Sequence, residues 1–248
     1  MRLTVIGCSG SFPGPHSPAS CYLVEAGGLR VVVDLGNGAL GELQRHVDIY
    51  AVDAVLLSHL HADHCLDLCS YYVARKYRPG GPAPQIPVYG PRGSGARLAR
   101  AYDLPEEPGM NSEFHFLEHG REPYSVGPLT ITPVRVVHPV EAYALRIDHG
   151  GHSVVYSGDT APSEALVDLA RGADLLVCEA SFVEGEDNPP GLHMTGRQAG
   201  RHAAEAGVPR LVLTHVPPWT DGAVAVAEAS EVYGGDLQLA SPGLVVEL

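Results

Sequence analysis

A short segment from His59 to His64 carries four side chains that can bind metal ions. It directly follows the apolar run of residues 54–58, so it begins where a strand is predicted to end. On an extended chain His59 and His61 project to the same side. Asp63 and His64 come where a helix could begin, and they can face a second point nearby. Imidazole and carboxylate donors suit Zn²⁺, and also Mn²⁺ or Fe²⁺, so one turn can ligate two metal ions.

Three further candidate ligands, His138, Asp159 and His215, each follow an apolar, strand-like run. Polar residues at strand ends are where α/β folds place their sites. Between the first two lies Gly150-Gly151, a strong hairpin signal, and a hairpin centred there would bring His138 and Asp159 to the same open end. Each residue alone would be interpreted as a hydrogen-bonded loop residue or a helix cap. Together with the cluster at residues 59–64, they are interpreted as metal ligands.

Strand-like and helix-like segments alternate along the whole chain, which predicts a single α/β domain over residues 1–248. The predicted strands are residues 3–7, 21–25, 30–34, 54–57, 88–90, 129–137, 142–147, 153–157, 175–179, 211–215 and 244–246. The predicted helices are residues 38–46, 65–76, 93–102, 163–171, 195–206 and 223–232. A hydrophobic fraction of 45% is ample for one large core.

Composition also limits the partners. The net charge of −13 disfavours stable complexes with long nucleic acids, which need a basic surface. No apolar stretch is long enough to span a bilayer. Five cysteines, an odd number without paired spacing, argue against a disulfide framework. We therefore expect a cytoplasmic protein that acts on a small substrate.

The motifs, in this order, resemble the metallo-β-lactamase superfamily in its binuclear phosphodiesterase branch. They are Asp34-Leu35-Gly36-Asn37-Gly38, the segment from His59 to His64, His138, Ser157-Gly158-Asp159-Thr160 and Leu213-Thr214-His215. The resemblance spans nearly the whole chain and implies a four-layer αββα sandwich with a binuclear metal site at one edge of the β-sandwich.

The same resemblance implies a role for each candidate ligand. His59, His61 and His138 would hold the first metal. Asp63, His64 and His215 would hold the second, and Asp159 would bridge the two. Asp34 would not bind a metal itself but would hydrogen-bond within the site, because metal ligands need such partners to keep their orientation. The metals are expected to be two divalent ions, with Zn²⁺ favoured over Mn²⁺ or Fe²⁺.

His193 is the most informative residue outside the metal set. Thr195 and Gln198 have capping-box spacing, which predicts that a helix starts at Thr195 and that its positive end lies beside His193. The resemblance matches His193 to the histidine that contacts phosphate and protonates the leaving oxygen in ribonuclease Z-like enzymes; the alternative is a loop histidine satisfied by backbone. Glu179, at the end of a predicted strand, is a candidate hydrogen-bond partner of His193 or of a metal ligand.

Two residues are candidates for substrate binding. Trp219 is the only tryptophan and could stack on a base at the mouth of the site. Packing against the preceding Pro217-Pro218 pair explains it equally well. Ser9 lies in residues 4–11, a stretch that resembles the corresponding part of cyclic-nucleotide phosphodiesterases.

Residues 4–11, 56–67, 138–141, 178–181 and 213–219 look very like actinobacterial atypical class II cyclic-nucleotide phosphodiesterases. This implies hydrolysis of 3′,5′-cyclic AMP to the 5′-monophosphate by a hydroxide that bridges the metals and is oriented by Asp63. A homodimer is also suggested by such relatives.

Three alternatives stay open: a ribonuclease Z-like endonuclease, another small cyclic-phosphate phosphodiesterase, and an inert or redox metal-binding relative. A ribonuclease Z normally carries a long exosite arm between its matches to His138 and Asp159, where this chain has only the predicted hairpin. The presence of every candidate ligand disfavours an inert protein.

Overall fold

Two mixed β-sheets of seven strands each lie face to face, and helices cover both outer faces. The structure is a computed structural model that describes residues 1–248. The strands are β1 (Arg2–Gly7), β2 (Cys21–Ala26), β3 (Leu29–Val33), β4 (Ala54–Leu56), β5 (Ile86–Gly90), β6 (Phe114–Glu118), β7 (Tyr124–Val126), β8 (Leu129–Arg135), β9 (Tyr143–His149), β10 (His152–Tyr156), β11 (Leu175–Glu179), β12 (Arg210–Thr214), β13 (Asp236–Leu239) and β14 (Val245–Glu247). The helices are α1 (Ala39–Leu43), α2 (Ala62–Cys65), α3 (Asp67–Lys76), α4 (Ser94–Ala101), α5 (Glu164–Ala170), α6 (Gly196–Ala206) and α7 (Gly222–Ser230).

Three buried clusters define the layers. The middle cluster joins residues of both sheets, such as Val24 and Val177, so it is the core of the β-sandwich. A second cluster packs α1, α3 and α4 on the first sheet, and a third packs α5, α6 and α7 on the second. Helix stripes and sheet faces must bury their apolar sides in this way. The predicted αββα architecture is confirmed.

The two sheets have the same pattern of strand directions. The first has the order β14-β1-β2-β3-β4-β5-β6 and the second the order β13-β12-β11-β10-β9-β8-β7. In the first sheet the pairs from β14 to β3 are antiparallel and those from β3 to β6 are parallel. In the second sheet the pairs from β7 to β10 are antiparallel and those from β10 to β13 are parallel. Parallel strands end at the same edge, so the loops after β3, β4, β10, β11 and β12 meet there.

The predicted hairpin is present. His149 pairs with His152, and both Gly150 and Gly151 have positive φ angles of 60° and 85°. Two left-handed residues in a row match the twist of the strands, and glycine adopts this conformation without steric cost. The tip of this hairpin lies at the opposite end from the loops that carry the candidate ligands.

Some boundaries differ from the prediction. The segment 65–76 was predicted as one helix, but the chain forms α2 over Ala62–Cys65 and then α3. Strands β6, β7 and β13 were not predicted; β7 and β13 are edge strands with mixed polarity, so their sequences lack a strong alternation. No helix of this structure has the length and apolar character needed to cross a bilayer.

Candidate metal centre

Seven side chains converge in two overlapping groups at the edge of the sandwich where the loops after β3, β4, β10, β11 and β12 meet. The first group is His59, His61, His138 and Asp159, and the second is Asp63, His64, Asp159 and His215. Within each group the candidate ligand atoms all lie within 4.8 Å of one another. Asp159 belongs to both groups, where the sequence predicts a bridging carboxylate. The groups are compatible with a binuclear metal site.

The turn after β4 explains how neighbouring residues serve two groups. His61 is the extended N-cap residue of α2 (φ −66°, ψ 154°), so His59 and His61 lie on extended chain. Asp63 and His64 lie in the first turn of α2 and point elsewhere. The loop after β3 fixes this turn, because Leu35 N donates to His64 O at 2.7 Å.

Gly36 makes this close approach feasible. A Cβ atom at Gly36 would lie 1.9 Å from the carbonyl oxygen of Asp63, well inside van der Waals contact. Any other residue would therefore push the loop after β3 away from α2. The absence of a Cβ atom at Gly36 is therefore required for the position of the ligands.

Two buried residues of the centre have strained backbones. Asp34 has a φ of 55° and His215 a φ of 58°, in the left-handed region that few non-glycine residues adopt. Such conformations cost on the order of 1–3 kcal/mol and persist where the surroundings impose them, often at functional sites. Here they turn each side chain from the end of its strand into the cluster.

Asp34 is fully buried and organises one side of the centre. Its Oδ1 accepts from Ser58 N at 2.7 Å. Its Oδ2 accepts from Ser58 Oγ at 2.7 Å, His64 Nδ1 at 2.7 Å and Tyr156 OH at 2.9 Å. Because the proton of His64 is held on Nδ1, the lone pair of Nε2 faces the cluster.

Three other imidazoles are oriented in the same way. His59 Nδ1 donates to Ser58 Oγ at 3.0 Å, and His138 Nδ1 donates to the carbonyl of Leu192 at 3.0 Å. His215 Nδ1 donates to Ser181 Oγ at 2.8 Å, since that hydroxyl gives its own proton to His215 O. With their outer nitrogens occupied, all three direct Nε2 inward as metal ligands do.

The inner atoms are spaced as the ligands of divalent cations are. His59 Nε2 lies 3.0 Å from His61 Nδ1, and His64 Nε2 lies 3.1 Å from His215 Nε2. Bare lone pairs repel at such distances unless a cation lies between them. Asp159 is nearly fully buried, and its Oδ1 has no hydrogen-bond partner. A buried carboxylate oxygen without a partner is expensive, and metal coordination would satisfy it.

The electrostatics favour the ligating protonation state for most of the ligands. His64 is the exception, because burial lowers its pKa but the carboxylates of Asp159 and Asp34 raise it more. Burial lowers the pKa of His59, His61 and His138, and so favours the neutral imidazole that binds metals. For Asp63, burial raises the pKa, but the neighbouring His215 and His64 have a larger effect and lower it well below its ordinary value. The carboxylate therefore stays ionised.

His193 lies beside the two groups rather than within them. Its Nδ1 donates to Glu179 Oε1 at 3.0 Å, and its ring centroid lies 5.6 Å from that of His138 and 5.5 Å from that of His215. Burial lowers the pKa of His193, but the charge and hydrogen bond of Glu179 raise it more, so the pKa lies above its ordinary value. The predicted capping box at Thr195 is present at the start of α6.

Glu179 is held in place from several directions. It is fully buried, and Oε1 also accepts from Thr160 N at 2.7 Å, while Oε2 accepts from the backbone amides of Met194 and Ser181 at 3.3 and 3.4 Å. The carboxylate thus connects the loop of His193 to the loop of Asp159. Of the two partners that the sequence suggested for Glu179, the structure brings it to His193.

The two candidate substrate-binding residues have different settings. Trp219 is exposed and lines a pocket that His193 also lines. Ser9 is buried, and its hydroxyl donates to the carbonyl of Phe12 at 2.8 Å. It is absent from the lining of that pocket, so its contact in the structure is with its own loop.

Sequence reasoning missed three groups that orient the imidazoles: Ser58, Ser181 and the carbonyl of Leu192. Ser58 directly precedes His59 and its position could have suggested a role. Ser181 and Leu192 gave no such indication, because their partners lie far away along the chain.

The sequence pattern of the beta-lactamase superfamily domain matches residues 29–216. An uncharacterized protein of Mycobacterium tuberculosis is 46% identical over 242 residues, which cover 95% of this chain and 88% of that protein. A ribonuclease Z of Myxococcus xanthus is 30% identical across 100% of this chain and 98% of its own length.

Among solved structures, the metallo-β-lactamase-fold protein YhfI of Bacillus subtilis superposes with a TM-score of 0.88 and is 32% identical. The superposition covers 99% of this chain and 98% of YhfI. This agreement extends over the whole sandwich, including the edge that carries the two ligand groups.

Proposed function

This chain belongs to the beta-lactamase superfamily and is a metallo-hydrolase, and we propose that it is a binuclear phosphodiesterase that hydrolyses 3′,5′-cyclic nucleotides such as cyclic AMP. The observation that carries the proposal is the pair of ligand groups sharing Asp159, with His193 beside them. We assign His59, His61 and His138 to one metal, Asp63, His64 and His215 to the other, and Asp159 to both, with Zn²⁺ as the expected ion.

Two divalent metals at such a site would lower the pKa of a bound water and stabilise negative charge on phosphoryl oxygens. Asp63 is ionised and can accept a hydrogen bond from the attacking water. That contact would orient the water toward phosphorus. The buried carboxylates of Asp34 and Glu179 hold the surrounding imidazoles still, so little reorganisation is needed during the reaction.

His193 is suited to protonate the leaving oxygen. Its Nδ1 proton is engaged with Glu179, so Nε2 is the atom that can carry a second proton toward the substrate. The raised pKa keeps that proton available at higher pH than an ordinary histidine would. In cyclic AMP the P–O3′ bond would break, water would add to phosphorus, and the 3′ oxygen would take the proton from His193.

Two features support a small substrate. The net charge of −13 is unfavourable for long nucleic acids. The hairpin of β9 and β10 is tight, and its tip points away from the ligand groups. Neither feature hinders a cyclic mononucleotide, which has one phosphodiester and one negative charge.

A ribonuclease Z-like endonuclease is the second candidate. The likeness to the Myxococcus enzyme covers the whole chain. In addition, Arg92 and Arg97 line a cavity of about 380 Å³ next to His61. These two guanidinium groups could contact phosphates of an RNA strand.

The test is a steady-state assay of the protein loaded with zinc or manganese. We expect turnover of cyclic AMP to 5′-AMP and of bis(4-nitrophenyl) phosphate. Inactivity toward cyclic AMP together with cleavage of a tRNA precursor would replace this proposal with the ribonuclease. Full metal content without any diester hydrolysis would refute both.

Replacing His193 tests the proton donor. His193→Ala should keep both metals, because His193 is assigned to neither, and should lose most turnover of cyclic AMP. The loss should be much smaller for bis(4-nitrophenyl) phosphate, whose nitrophenolate leaves without a proton. His152→Ala, at the remote hairpin tip, is the matched control. Equal losses on both substrates would contradict the role of His193.

A further inference from the structure

A pocket of about 580 Å³ opens directly beside His193. Phe182 and Leu192 line it near the histidine, and Trp219 and Val224 line it farther away. This volume lies within the range of pockets that bind small molecules. Since one wall is the proposed proton donor, a substrate with phosphorus at the ligand groups would extend its other parts into this pocket.

Trp219 presents an aromatic face to this pocket. Its side chain is 70% exposed, yet it lies in a closed turn in which Thr220 N donates to Pro217 O at 2.9 Å. Phe12 packs against it with ring centroids 5.1 Å apart. The indole therefore has one aromatic neighbour, and its backbone lies in a turn closed by a hydrogen bond. A preorganised ring of this kind can stack on a base with little loss of entropy.

The loop that carries Phe12 is fixed as well. Gly10 N donates to Val216 O at 3.1 Å, and Ser9 Oγ donates to Phe12 O at 2.8 Å. Ser11 has a φ of 65°, a left-handed conformation that these contacts impose. The loops of Phe12 and Trp219 are thus joined, and Phe12 supports Trp219 from outside the pocket lining.

Apart from His193, the ionisable side chains of the pocket are both carboxylates. Glu186 and Asp221 contribute carboxylates, and the lining contains no lysine or arginine. Asn188 uses its amide nitrogen to donate to Val183 O, which leaves its oxygen free to accept. Hydrogen-bond donors on a ligand are therefore favoured, while additional phosphate groups would be repelled.

We propose that this pocket binds the base of a nucleotide and selects bases with an exocyclic amino group, with Trp219 stacking on the ring and Glu186 and Asp221 accepting from the amino group. The inference rests on the proposed phosphodiesterase function and specifies its substrate. Adenine meets the requirement, whereas hypoxanthine presents a carbonyl oxygen at the same position and would face two carboxylates. Phe12 acts by positioning Trp219.

The first experiment uses Trp219 as the reporter, because it is the only tryptophan in the chain. Addition of 5′-AMP to the metal-loaded protein should quench its fluorescence, and ribose 5-phosphate, which has no base, should leave it unchanged. Equal responses to the two compounds would overturn the stacking role.

The second experiment separates KM from kcat. Trp219→Ala should raise KM for cyclic AMP roughly tenfold or more, as loss of a base–aromatic stack does, and should change kcat much less, because Trp219 belongs to neither ligand group. Tyr77→Ala, another exposed aromatic far from the pocket, is the control. An unchanged KM for cyclic AMP would overturn this inference but not the phosphodiesterase. A wild-type protein inactive on every diester would instead overturn the proposed function.

The third experiment tests the carboxylates with a matched pair of substrates, cyclic AMP and cyclic IMP, which differ at the amino group. The wild type should prefer cyclic AMP in kcat/KM. Glu186→Gln combined with Asp221→Asn should reduce that preference several-fold, because amides also donate. Asparagine retains the N-cap of α7 that Asp221 provides. An unchanged preference would refute selection by these carboxylates.

Discussion

Asp34→Asn isolates the contribution of one buried carboxylate to metal binding. Asparagine has nearly the same shape and tolerates the left-handed backbone of this position. Asp34 accepts four hydrogen bonds, one on Oδ1 and three on Oδ2. In either orientation of the new amide, its NH₂ group must face a donor that now has no acceptor.

The magnitude follows from this mismatch. If the NH₂ group faces Ser58 N, a buried backbone donor is left unpaired, which costs about 1–3 kcal/mol. If it faces His64, the imidazole must move its proton to Nε2 and can no longer ligate. Substitutions of this kind weaken metal affinity by about 10–100-fold, or roughly 1.4–2.8 kcal/mol.

The assay is a zinc titration against a competing chelator, combined with thermal unfolding of the metal-free protein. Asp34→Asn should bind zinc more weakly by the stated factor and unfold at a lower temperature without metal. Asp168→Asn, an exposed aspartate on α5, should change neither. Wild-type zinc affinity in Asp34→Asn would refute the conclusion that Asp34 fixes the tautomer of His64.

Two other predictions concern packing and pH. Gly36→Ala should destabilise the protein by roughly 1–3 kcal/mol and lower its zinc content, because the new Cβ meets Asp63 O. Gly41→Ala, where a Cβ meets nothing within 4 Å, is the control; equal melting temperatures of the two variants would contradict the packing argument. Burial lowers the pKa of His119 from 6.5 to about 4. Between these pH values the unfolded chain therefore carries a proton on His119 that the folded chain does not. The contribution of His119 to the free energy of unfolding should therefore fall as pH drops below 6.5 and level off below about 4, by about 3 kcal/mol in total. Denaturant titrations should show a correspondingly smaller fall for His119→Gln, with exposed His46→Gln as control; identical pH profiles would refute the assignment.

The local sequence predicted much of the centre because its ligands are concentrated at strand ends. The segment from His59 to His64 shows two spacings at once, one extended and one helical. His138, Asp159 and His215 each follow a strong apolar strand. Such patterns depend on neighbouring residues alone, and the structure brings all of these side chains together.

Residues whose environment depends on distant segments were harder to predict. His202 lies on α6, yet it is buried and its Nε2 accepts from Ser163 N at 2.9 Å. Arg75 lies in the last turn of α3, yet it is buried and donates to Tyr71 OH at 3.0 Å and to the carbonyl of Pro84. In both cases a loop covers the side chain, and periodicity within one helix cannot reveal that.

Each ligand group draws on both halves of the molecule. His59 and His61 come from a loop of the first sheet, while His138 and Asp159 come from the second, and the other group mixes the sheets in the same way. A partly folded chain with only one sheet formed therefore offers an incomplete set of donors at either position. The ions would therefore bind tightly only after the two sheets have packed together. Metal binding would then stabilise the assembled sandwich over partly folded states.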